Sequence, residues 1–506
     1  MTATAPPRDL HLTDTLRAAE RQAAATLVPG ALMQRAGAAA AEWIFAQGAR
    51  RVRIICGPGN NGGDGYVCAV ELKQRGANVA CLAVAAPATE DARAAAARWR
   101  DSGGSLLAQI DDATGADLLV DAIFGIGLVR PLEGAFLAAA RWLNQQACRV
   151  IALDVPSGLD ADTGAWIAGG AGNAGEAGVI ADATLTFITD KPGLHTGDGC
   201  DAAGEVIVLN LALAIGASML RLTSLSDFSS LLVPRRHNSH KGNYGDVLVV
   251  GGGRGMAGAP LLAARAALRL GAGRVYVHVV GSSQIQFDPA QPELMIRAGD
   301  EMPDARVQVV GCGLGTDAIA TGALAHSLAR VDQHPARLVL DADALNLLAA
   351  RTPAWRAPAL ATGANIVLTP HPLEAARLLA IDAASVQRDR ISVAQRLAAD
   401  KACVVVLKGA GTVIATPDGR AWINPTGGPA LASAGTGDVL AGMIGALLAQ
   451  CEDVVAAVLA AVWLHGAAAD DHGADVGLVA SDIAPRAAAR LGALRANASL
   501  IGARRG

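Results

Sequence analysis

Aromatic residues are scarce in this sequence, and its cysteines occur singly. Among 506 residues there are only 7 Trp, 3 Tyr and 6 Phe, so few side chains are available to stack on the bases of a nucleic acid. The eight cysteines form no C-x-x-C pair and have no histidine at ligand spacing, which argues against a disulfide framework and a zinc site. Such cysteine usage is typical of a protein in the reducing cytoplasm.

Excess positive charge and long apolar segments are also missing. The 42 Lys and Arg residues against 46 Asp and Glu leave a net charge of -4, which argues against binding to nucleic acid or to an anionic membrane surface. The longest apolar run, 454–464, is shorter than the ~18 residues of a membrane span, and we expect it to form a buried helix. The opening residues lack the apolar segment of a secretory signal. We therefore expect a cytoplasmic protein with no nucleic-acid or membrane partner, and we also expect a homo-oligomer.

Glycine and hydrophobic residues are abundant instead, with 58 Gly and a hydrophobic fraction of 52%. Short Val/Ile/Leu runs alternate with Ala/Leu-rich stretches of helical period along both halves of the chain. This pattern is typical of a parallel sheet covered by helices on both faces. The predicted fold class is therefore α/β with two domains, 1–220 and 230–506, and a linker near 218–236.

The apolar runs also predict the individual elements. The predicted strands are 51–56, 77–84, 118–123, 149–153 and 183–188 in the first half and 246–250, 274–280, 307–310, 338–340, 365–368 and 403–407 in the second. The predicted helices of the first half are 65–75, 90–100 and 135–146. A Pro-Asp-Gly turn at 417–419 predicts a hairpin of 411–415 and 420–423. The second sheet should therefore end with antiparallel strands.

A glycine-rich segment, GPGNNGGDG at 57–65, follows the first predicted strand and opens a helix. Backbone N–H groups and the positive helix end can face an anion there, so the segment is a candidate phosphate cradle. The alternative is a tight turn without a ligand, but Asn60, Asn61 and Asp64 add polar groups that do little for packing. The segment also matches G-x-G-x-x-G, as does 253–258, yet neither copy has the acidic residue that holds an adenosine ribose. A standard dinucleotide fingerprint is therefore not expected.

Two further turns, DAIFGIG at 121–127 and DVPSG at 154–158, lie at the ends of predicted strands and begin with a carboxylate. Open α/β sheets bind ligands at the carboxyl ends of their strands, so Asp121 and Asp154 are candidates for one crevice. The alternative for Asp154 is an Asx-turn, which is common for Asp before Pro-Ser-Gly. Because three such loops converge, we favour a functional site.

In the second half, SAGTGD at 433–438 precedes a predicted helical run at 439–448. Its glycines can present N–H donors to a phosphoryl group while Asp438 takes the proton of an acceptor hydroxyl, a combination that suits phosphoryl transfer. The chain has no Walker motif, which excludes a P-loop enzyme. The alternative for Asp438 is a simple charge at a helix N-terminus, which explains the carboxylate but not the glycines.

Three shorter motifs at the ends of predicted strands support the same interpretation: LDAD at 340–343, TPHPLE at 369–374 and KGAGT at 408–412. Structural alternatives exist here as well. His371 and Glu374 are also typical of a turn and helix start beside proline, and 408–412 could form a β-turn.

These motifs together resemble a known family. GPGNNGGDG, DAIFGIG, DVPSGLD and Lys191-Pro-Gly193 resemble the epimerase domain that acts on NAD(P)HX, the hydrated form of NADH or NADPH. HKGNYG, GGGRGMAGAP, LDADAL, LTPHP, KGAGT and SAGTGD resemble the ADP- or ATP-dependent NAD(P)HX dehydratase, which has a ribokinase-like fold. In this order they are similar to the bifunctional NAD(P)H-hydrate repair enzymes over nearly the whole chain. The resemblance implies a Rossmann-like three-layer α/β/α domain followed by a ribokinase-like α/β domain.

The resemblance also implies two reactions on one damaged cofactor. The N-terminal domain would interconvert the R and S hydrates, with Asp154 transferring a proton. The C-terminal domain would dehydrate the S form with ADP as co-substrate and release NAD(P)H, AMP and phosphate, with Asp438 as the base. The implied cofactors are K⁺ in the first domain and Mg²⁺ in the second, with Glu374 as an outer contact of Mg²⁺.

The residues that the resemblance assigns fall into three groups. The hydrated dinucleotide in the first domain would contact Asn60, Asn61, Gly62, Gly63, Asp64, Gly125, Ile126, Gly127, Leu128, Val129, Arg130, Pro131 and Asp154, with K⁺ on Asn61, Asp121 and Ser157. The hydrate in the second domain would contact Ala259, Gly315, His371 and Asp438. ADP would contact Lys408, Gly409, Ala410, Gly411, Thr412, Gly428, Ser433, Ala434, Gly435, Thr436 and Gly437.

The sequence departs from the family pattern at two positions. The usual Gly-Pro-Gly-Leu-Gly is GCGLG at 311–315 here, and Leu373 follows His371-Pro where glycine is expected. Two alternative functions stay open. One is a ribokinase-like small-molecule kinase, which shares the Gly-Thr-Gly-Asp arrangement but lacks the N-terminal domain. The other is a noncatalytic binding role for the first half. No residue type distinguishes ADP from ATP.

Overall fold

The computed structural model describes residues 8–113, 115–167, 174–281, 285–297, 302–333, 336–350 and 365–503. It divides into two compact units, Asp9–Leu220 and the chain from Arg221 on. All eight cysteines are free thiols. Within the described residues, every helix is too short or too polar to cross a lipid bilayer.

Up to residue 209 the chain alternates strands with helices. The elements are β1 (Arg8–Asp9), α1 (Thr13–Ala24), α2 (Ala31–Ala46), β2 (Arg51–Cys56), α3 (Asn60–Gln74), β3 (Asn78–Ala83), α4 (Glu90–Asp101), β4 (Ser105–Leu106), β5 (Leu118–Ala122), α5 (Gly134–Asn144), β6 (Arg149–Leu153), α6 (Ala174–Ala177), β7 (Ala183–Phe187), α7 (Gly199–Ala202) and β8 (Glu205–Leu209). Strands β2–β8 form a parallel sheet in the order β4-β3-β2-β5-β6-β7-β8. The five strands predicted for this half are confirmed, each to within one residue at either end.

Helix α3 begins at Asn60, five residues before its predicted start. The candidate phosphate cradle is therefore shorter than predicted, because part of its glycine-rich segment is helical. The helix contains these glycines at points of close packing. A Cβ on Gly62 would lie 2.0 Å from the carbonyl oxygen of Gly57, and one on Gly63 would lie 2.4 Å from Met33 Cε. Elements α1, α2, β4 and β8 are not among the predicted ones.

Alternate side chains of the central strands enter two separate apolar cores. Val52, Ile54 and Cys56 of β2 pack into one core, and Ile55 packs into the other. Both faces of the sheet are therefore covered, which explains why the strand is a continuous apolar run in the sequence. Strands β2 and β5 are neighbours from which the chain continues toward opposite edges. A crevice is expected at the carboxyl ends of such a pair.

From residue 220 on, the chain again combines strands and helices. The elements are β9 (Leu220–Leu222), β10 (Asp246–Gly251), α8 (Gly258–Arg269), β11 (Arg274–Val279), β12 (Met295–Arg297), β13 (Val307–Val310), α9 (Ala318–Gln333), β14 (Arg337–Leu340), α10 (Asp343–Ala350), β15 (Ile366–Leu368), α11 (Pro372–Leu379), α12 (Ala383–Arg388), α13 (Arg390–Lys401), β16 (Val404–Leu407), β17 (Val413–Ala415), β18 (Ala421–Ile423), α14 (Thr436–Gln450), α15 (Val454–Asp470) and α16 (Ala480–Ala503).

Strands β10–β18 lie in the order β18-β17-β16-β15-β14-β13-β10-β11-β12. The strands from β16 to β12 are parallel, whereas β17 and β18 are antiparallel. The predicted hairpin and the antiparallel end of the sheet are confirmed, and the predicted strands match to within two residues. Here β10 and β13 are the neighbours from which the chain continues toward opposite edges, so the second crevice is expected at their carboxyl ends.

The segment predicted as a linker, 218–236, contains regular structure, and the prediction was wrong in this respect. It includes β9 and a 3-10 helix, Leu225–Leu232. A capping box begins this helix, and in it the N–H of Ser224 donates to Asp227 at 2.8 Å. A short capped helix of this kind offers too few residues for a period to be detected.

Two helices of the second unit are almost fully apolar and buried. The predicted buried helix at 454–464 is confirmed as part of α15. Helix α14 approaches α8 closely, because a Cβ on Gly442 would lie only 2.0 Å from the carbonyl oxygen of Ala263. The contact between these two helices therefore depends on glycine at position 442.

Replacing Gly442 with Ala should destabilise the second unit by roughly 1–3 kcal/mol, because the added methyl group forces α14 away from α8. Gly322→Ala is the matched control, since its Cβ would have no heavy atom within 4 Å in helix α9 and alanine favours a helix by up to ~1 kcal/mol. Urea unfolding of both variants measures the difference. Equal stability of Gly442→Ala and the wild type would contradict the close helix contact.

Candidate functional site

A cavity of about 640 Å³ lies within the first unit. Its lining includes the loops that follow β2, β5 and β6, so it occupies the crevice expected from the strand order. Eight of the residues predicted to bind the dinucleotide line it: Asn60, Asn61, Asp64, Gly125, Ile126, Gly127, Leu128 and Asp154. The loops that the sequence suggested would converge are therefore brought together in one place.

Asp154 follows β6 with a φ of 68°, a backbone conformation that non-glycine residues rarely adopt. Its carboxylate accepts the N–H of Ile126 at 2.9 Å and pairs with Lys191 Nζ at 3.0 Å. Both partners lie outside the turn at 154–158, in contrast to the Asx-turn considered as an alternative. A Cβ on Gly125 would lie 2.4 Å from Asp154 Oδ2. Glycine at position 125 is thus what allows the carboxylate to approach this loop.

Lys191 is the buried cation of the first site, and it is absent from the predicted site residues. Its side chain is 1% exposed. Besides Asp154, the ammonium group donates to Thr186 Oγ1 at 2.6 Å and to the carbonyl oxygen of Phe187 at 3.1 Å. The available signal was the Lys-Pro-Gly segment shortly after a predicted strand, but the sequence does not show that this lysine pairs with Asp154.

Further charged groups surround the cavity. Burial, and next the charge of Asp154, raise the pKa of both Asp64 and Glu20, and that of Asp64 strongly. Arg17 and Arg21 line the same cavity, from the unpredicted helix α1. The cavity therefore combines carboxyl groups that hold a proton more readily than usual with cations that attract phosphate.

Asp121 and Ser157, the predicted K⁺ ligands beside Asn61, are buried and do not line the cavity. Asp121 accepts the N–H of Ser157 at 2.8 Å and its hydroxyl at 2.7 Å. Burial raises the pKa of Asp121 to about 6, although these hydrogen bonds oppose the shift. Both polar atoms of the Asn61 amide are buried and have no hydrogen-bond partner among the described residues.

The other predicted residues of the first domain lie elsewhere. Gly62 and Gly63 pack inside the fold, as their close contacts show. Val129 is 81% exposed, and Arg130 and Pro131 are exposed beside it. None of these five residues lines the cavity.

In the second unit, Asp438 lies in the first turn of α14, which begins at Thr436, earlier than predicted. Its carboxylate, the carboxylate of Asp341 and Cys312 Sγ lie within 4.8 Å of one another. Burial, and next the charge of Asp341, raise the pKa of Asp438 to about 6. Asp438 thus stands in a helix first turn and also belongs to a cluster of two carboxylates and a thiol.

Lys408 joins the KGAGT loop at 408–412 to this carboxylate cluster. Its Nζ lies 2.6 Å from Asp341 Oδ1 and 4.0 Å from Glu374 Oε2. A Cβ on Gly437 would lie 3.4 Å from the same nitrogen. Burial lowers the pKa of Lys408, but the charges of Asp341 and Glu374 outweigh it and raise the pKa overall. This ammonium therefore compensates the negative charge of the Asp341 and Glu374 carboxylates.

His371 and Glu374 form the capping box of α11, which confirms the structural alternative for this pair. Glu374 Oε2 accepts the N–H of His371 at 2.8 Å, while His371 Nδ1 accepts the N–H groups of Leu373 and Glu374 at 3.1 and 3.3 Å. An accepting Nδ1 leaves the proton of neutral His371 on Nε2, which lies 3.3 Å from Glu374 Oε1. Burial raises the pKa of Glu374 to about 7. Both oxygens of this carboxylate already have partners.

The remaining predicted residues of the second unit have contacts or exposure of their own. Gly315 donates its N–H to Asp343 at 2.8 Å, and a Cβ on Gly313 of the same loop would lie 3.1 Å from the Cβ of Ala259. A Cβ on Gly409 would contact the Arg390 guanidinium at 2.9 Å. The others are exposed or half-exposed. Seven lie in loops, and Thr436 is the first residue of α14: Ala410, Gly411, Thr412, Gly428, Ser433, Ala434, Gly435 and Thr436.

Asp341, Cys312 and Thr369 belong to the second site but are absent from the predicted site residues. Thr369 Oγ1 donates to Asp341 Oδ1 at 2.7 Å. The signal for Asp341 was its position in the LDAD motif at a strand end, where a ligand crevice forms. Its partner Lys408 lies 67 residues away in the chain, so the sequence could not show the pairing.

The fold and the two sites define an enzyme with two α/β units, each with a lysine paired to a buried carboxylate at the carboxyl ends of parallel strands. A family model described as NAD(P)H-hydrate dehydratase matches residues 247–489, and one described as YjeF-related protein N-terminus matches residues 29–193. The chain is 38% identical to the bifunctional NAD(P)H-hydrate repair enzyme of Escherichia coli, covering 92% of this chain and 90% of the relative. It is 39% identical to that of Moorella thermoacetica, with 83% of each chain covered.

The chain therefore belongs to the family of bifunctional NAD(P)H-hydrate repair enzymes. This finding confirms the predicted resemblance and does not favour the small-molecule kinase alternative. A solved ribokinase-like superfamily protein from Enterococcus faecalis is 26% identical and covers 56% of this chain and 98% of its own, with a TM-score of 0.49. The ADP/ATP-dependent NAD(P)H-hydrate dehydratase of Bacillus subtilis, co-crystallised with ATP and Mg²⁺, is 36% identical and covers 52% of this chain and 96% of its own, with a TM-score of 0.45.

Proposed function

We propose that the second unit dehydrates S-NAD(P)HX with ADP and that the first unit interconverts the R and S hydrates. The observation that carries the dehydratase assignment is the position of Asp438. This carboxylate lies in the first turn of a helix whose N–H groups are available to an anion, and beside the buried ammonium of Lys408. A base is thus adjacent to donors for a transferred phosphoryl group.

Dehydration proceeds in two stages. Hydroxide is a poor leaving group at neutral pH, so Asp438 first takes the proton of the ring hydroxyl. The hydroxyl oxygen then forms a bond to the terminal phosphorus of ADP, and the bond from that phosphorus to the AMP oxygen breaks. In the second stage the lone pair of the ring nitrogen expels phosphate, and loss of the proton from the adjacent ring carbon restores the double bond of NAD(P)H. The products are NAD(P)H, AMP, phosphate and one proton.

Lys408 and the first turn of α14 stabilise the charge that develops on the phosphoryl oxygens. Lys408 Nζ is close to Gly437, so one ammonium faces both the Asp341 carboxylate and the glycine-rich turn. When bound, Mg²⁺ would neutralise part of the phosphate charge. The Glu374 carboxylate does not fit an inner ligand of that ion, because His371 engages both of its oxygens. We keep Glu374 only as an outer contact.

Asp438→Asn should bind ADP but lose at least about 100-fold in dehydration rate, because the amide cannot take the hydroxyl proton. The wild-type rate should fall as the pH drops through about 6, the raised pKa of Asp438. Recovery of NADH absorbance and release of phosphate measure turnover. Asp453→Asn, which changes the N-cap of α15, is the control and should retain it. Normal turnover in Asp438→Asn would reassign the base.

Epimerisation in the first unit requires loss and return of the ring hydroxyl. We propose that Asp154 is the proton-transfer group of this reaction, because its carboxylate lines the cavity and is held by Ile126 and Lys191. Proton transfer at Asp154 lets the ring hydroxyl leave as water, and the ring nitrogen stabilises the resulting cation. Water then adds to the opposite face of the ring and returns a proton to the carboxylate. Arg17 and Arg21 are placed to bind the phosphates of the dinucleotide.

The predicted K⁺ site fits the residues present. Asn61 has a buried amide oxygen without a hydrogen-bond partner among the described residues. The described groups that lower the pKa of the buried Asp121 carboxyl are hydrogen-bond donors and include no cation. Oxygen donors of this kind suit a hard cation. We propose that Asn61, Asp121 and Ser157 hold K⁺, which would supply positive charge beside the buried Asp121 carboxylate.

Gly125→Ala should lower the epimerisation rate at least tenfold, because its Cβ would occupy the space of Asp154 Oδ2 and displace the carboxylate from the reacting carbon. Gly216→Ala is the matched control in the same unit, since its Cβ would meet no heavy atom within 4 Å. Chromatographic separation of the R and S hydrates over time measures the rate. If both variants equilibrate the hydrates at the wild-type rate, Asp154 is not the proton-transfer group.

Location and assembly stay predictions. Free thiols at all eight cysteines support a reducing compartment, and we propose the cytoplasm on that basis. The homo-oligomeric state is likewise proposed.

A further inference from the structure

Cys312 occupies a fixed position in the second site. It lies between β13 and α9 and is 0% exposed. The glycines on either side have φ values of 125° and 56°, and a Cβ on Gly311 would lie 1.8 Å from the carbonyl oxygen of Asp341. The carbonyl oxygen of Cys312 accepts the N–H of Gly252 at 3.0 Å. The backbone of this loop therefore presents the thiol at one defined point.

That point lies beside the Asp438 carboxylate. Cys312 Sγ lies within 4.8 Å of the nearest carboxylate oxygens of both Asp438 and Asp341. Lys408 already forms an ion pair with Asp341 at 2.6 Å, whereas Asp438 has no ammonium partner of this kind among the described ion pairs. The thiol is thus the group that the loop after β13 places beside the Asp438 carboxylate.

The thiol keeps its proton in this environment. Burial first, and then the negative charges of Asp438 and Asp341, raise the pKa of Cys312 strongly. A protonated thiol can donate to a carboxylate, and such a bond favours the ionised form of the acceptor. The other charged groups that act on Asp438 are Asp341 and Asp343, which disfavour its ionisation, and Lys408, which favours it.

We propose that Cys312 is a positioning residue for the dehydration reaction, whose S–H group holds the Asp438 carboxylate ionised and oriented toward the substrate hydroxyl. This inference rests on the proposed role of Asp438 as the base. Cys312 itself forms no bond to the substrate. Its contribution is to offset part of the cost of burying a carboxylate beside Asp341.

The pH profile of dehydration tests the proposal with three variants. Cys312→Ala removes the thiol, so the acid limb of kcat/KM should move to higher pH, with a loss of roughly twofold at pH 6 and roughly threefold well below it, from a shift of about half a pH unit. Cys312→Ser keeps a donor and should return the limb toward that of the wild type. Cys403→Ala removes another buried thiol, whose pKa is raised by burial and lowered by the charge of Lys401. This variant should leave the acid limb unchanged. Superimposable profiles for Cys312→Ala and the wild type would overturn the proposal.

Infrared spectroscopy tests the contact without relying on activity. The S–H stretching band of Cys312, isolated as the difference between wild type and Cys312→Ala, should shift as Asp438 titrates, and Asp438→Asn should abolish that dependence on pH. If Cys312→Ala does not fold, the difference against Cys312→Ser isolates the same band. A band that does not respond to pH would refute the hydrogen bond, whatever the role of Asp438. Full dehydration by Asp438→Asn would instead refute the base assignment.

Discussion

Each unit of this protein depends on one lysine that pairs with a buried carboxylate at the end of a parallel sheet. Lys191 lies 3.0 Å from Asp154, and Lys408 lies 2.6 Å from Asp341. Removing a carboxylate from water costs several kcal/mol unless a cation and hydrogen bonds compensate it. The ammonium groups supply that compensation, and so they allow acidic side chains to remain in the crevices where we propose that the dinucleotide binds.

The strand order determines where these pairs form. In both sheets the chain continues toward opposite edges from two neighbouring strands, β2 and β5 in the first and β10 and β13 in the second. Loops that diverge from such a pair leave an open crevice, and glycine lets the loops approach the acidic groups. Gly125 admits the carboxylate of Asp154, and Gly311 lies against the carbonyl oxygen of Asp341. The reactive groups are thus held by backbone geometry as well as by charge.

Much of this arrangement could be predicted from the sequence, because the strands are continuous apolar runs and the candidate carboxylates Asp121, Asp154 and Asp438 stand at their ends or at a glycine-rich helix start. The start of α3 at Asn60 could not be predicted, because glycine usually disfavours a helix. Gly62 and Gly63 occur in this helix because they make close contacts with the rest of the fold. The pairing of Lys408 with Asp341 spans 67 residues, and contacts over such distances leave no mark in the local pattern. The place of Cys312 in the second site could not be predicted for the same reason, since the Asp438 carboxylate beside it belongs to a helix far along the chain.

The central claim is that the ring hydroxyl of the hydrate attacks the terminal phosphoryl group beside Asp438, and the fate of that oxygen tests it. Hydrate labelled with ¹⁸O at the ring hydroxyl would be dehydrated with ADP, and mass spectrometry would follow the label, with substrate recovered at partial conversion to check that it is retained. The account predicts one labelled oxygen in each phosphate released. Unlabelled phosphate with the label in water would contradict it, because the hydroxyl would then have left without being phosphorylated.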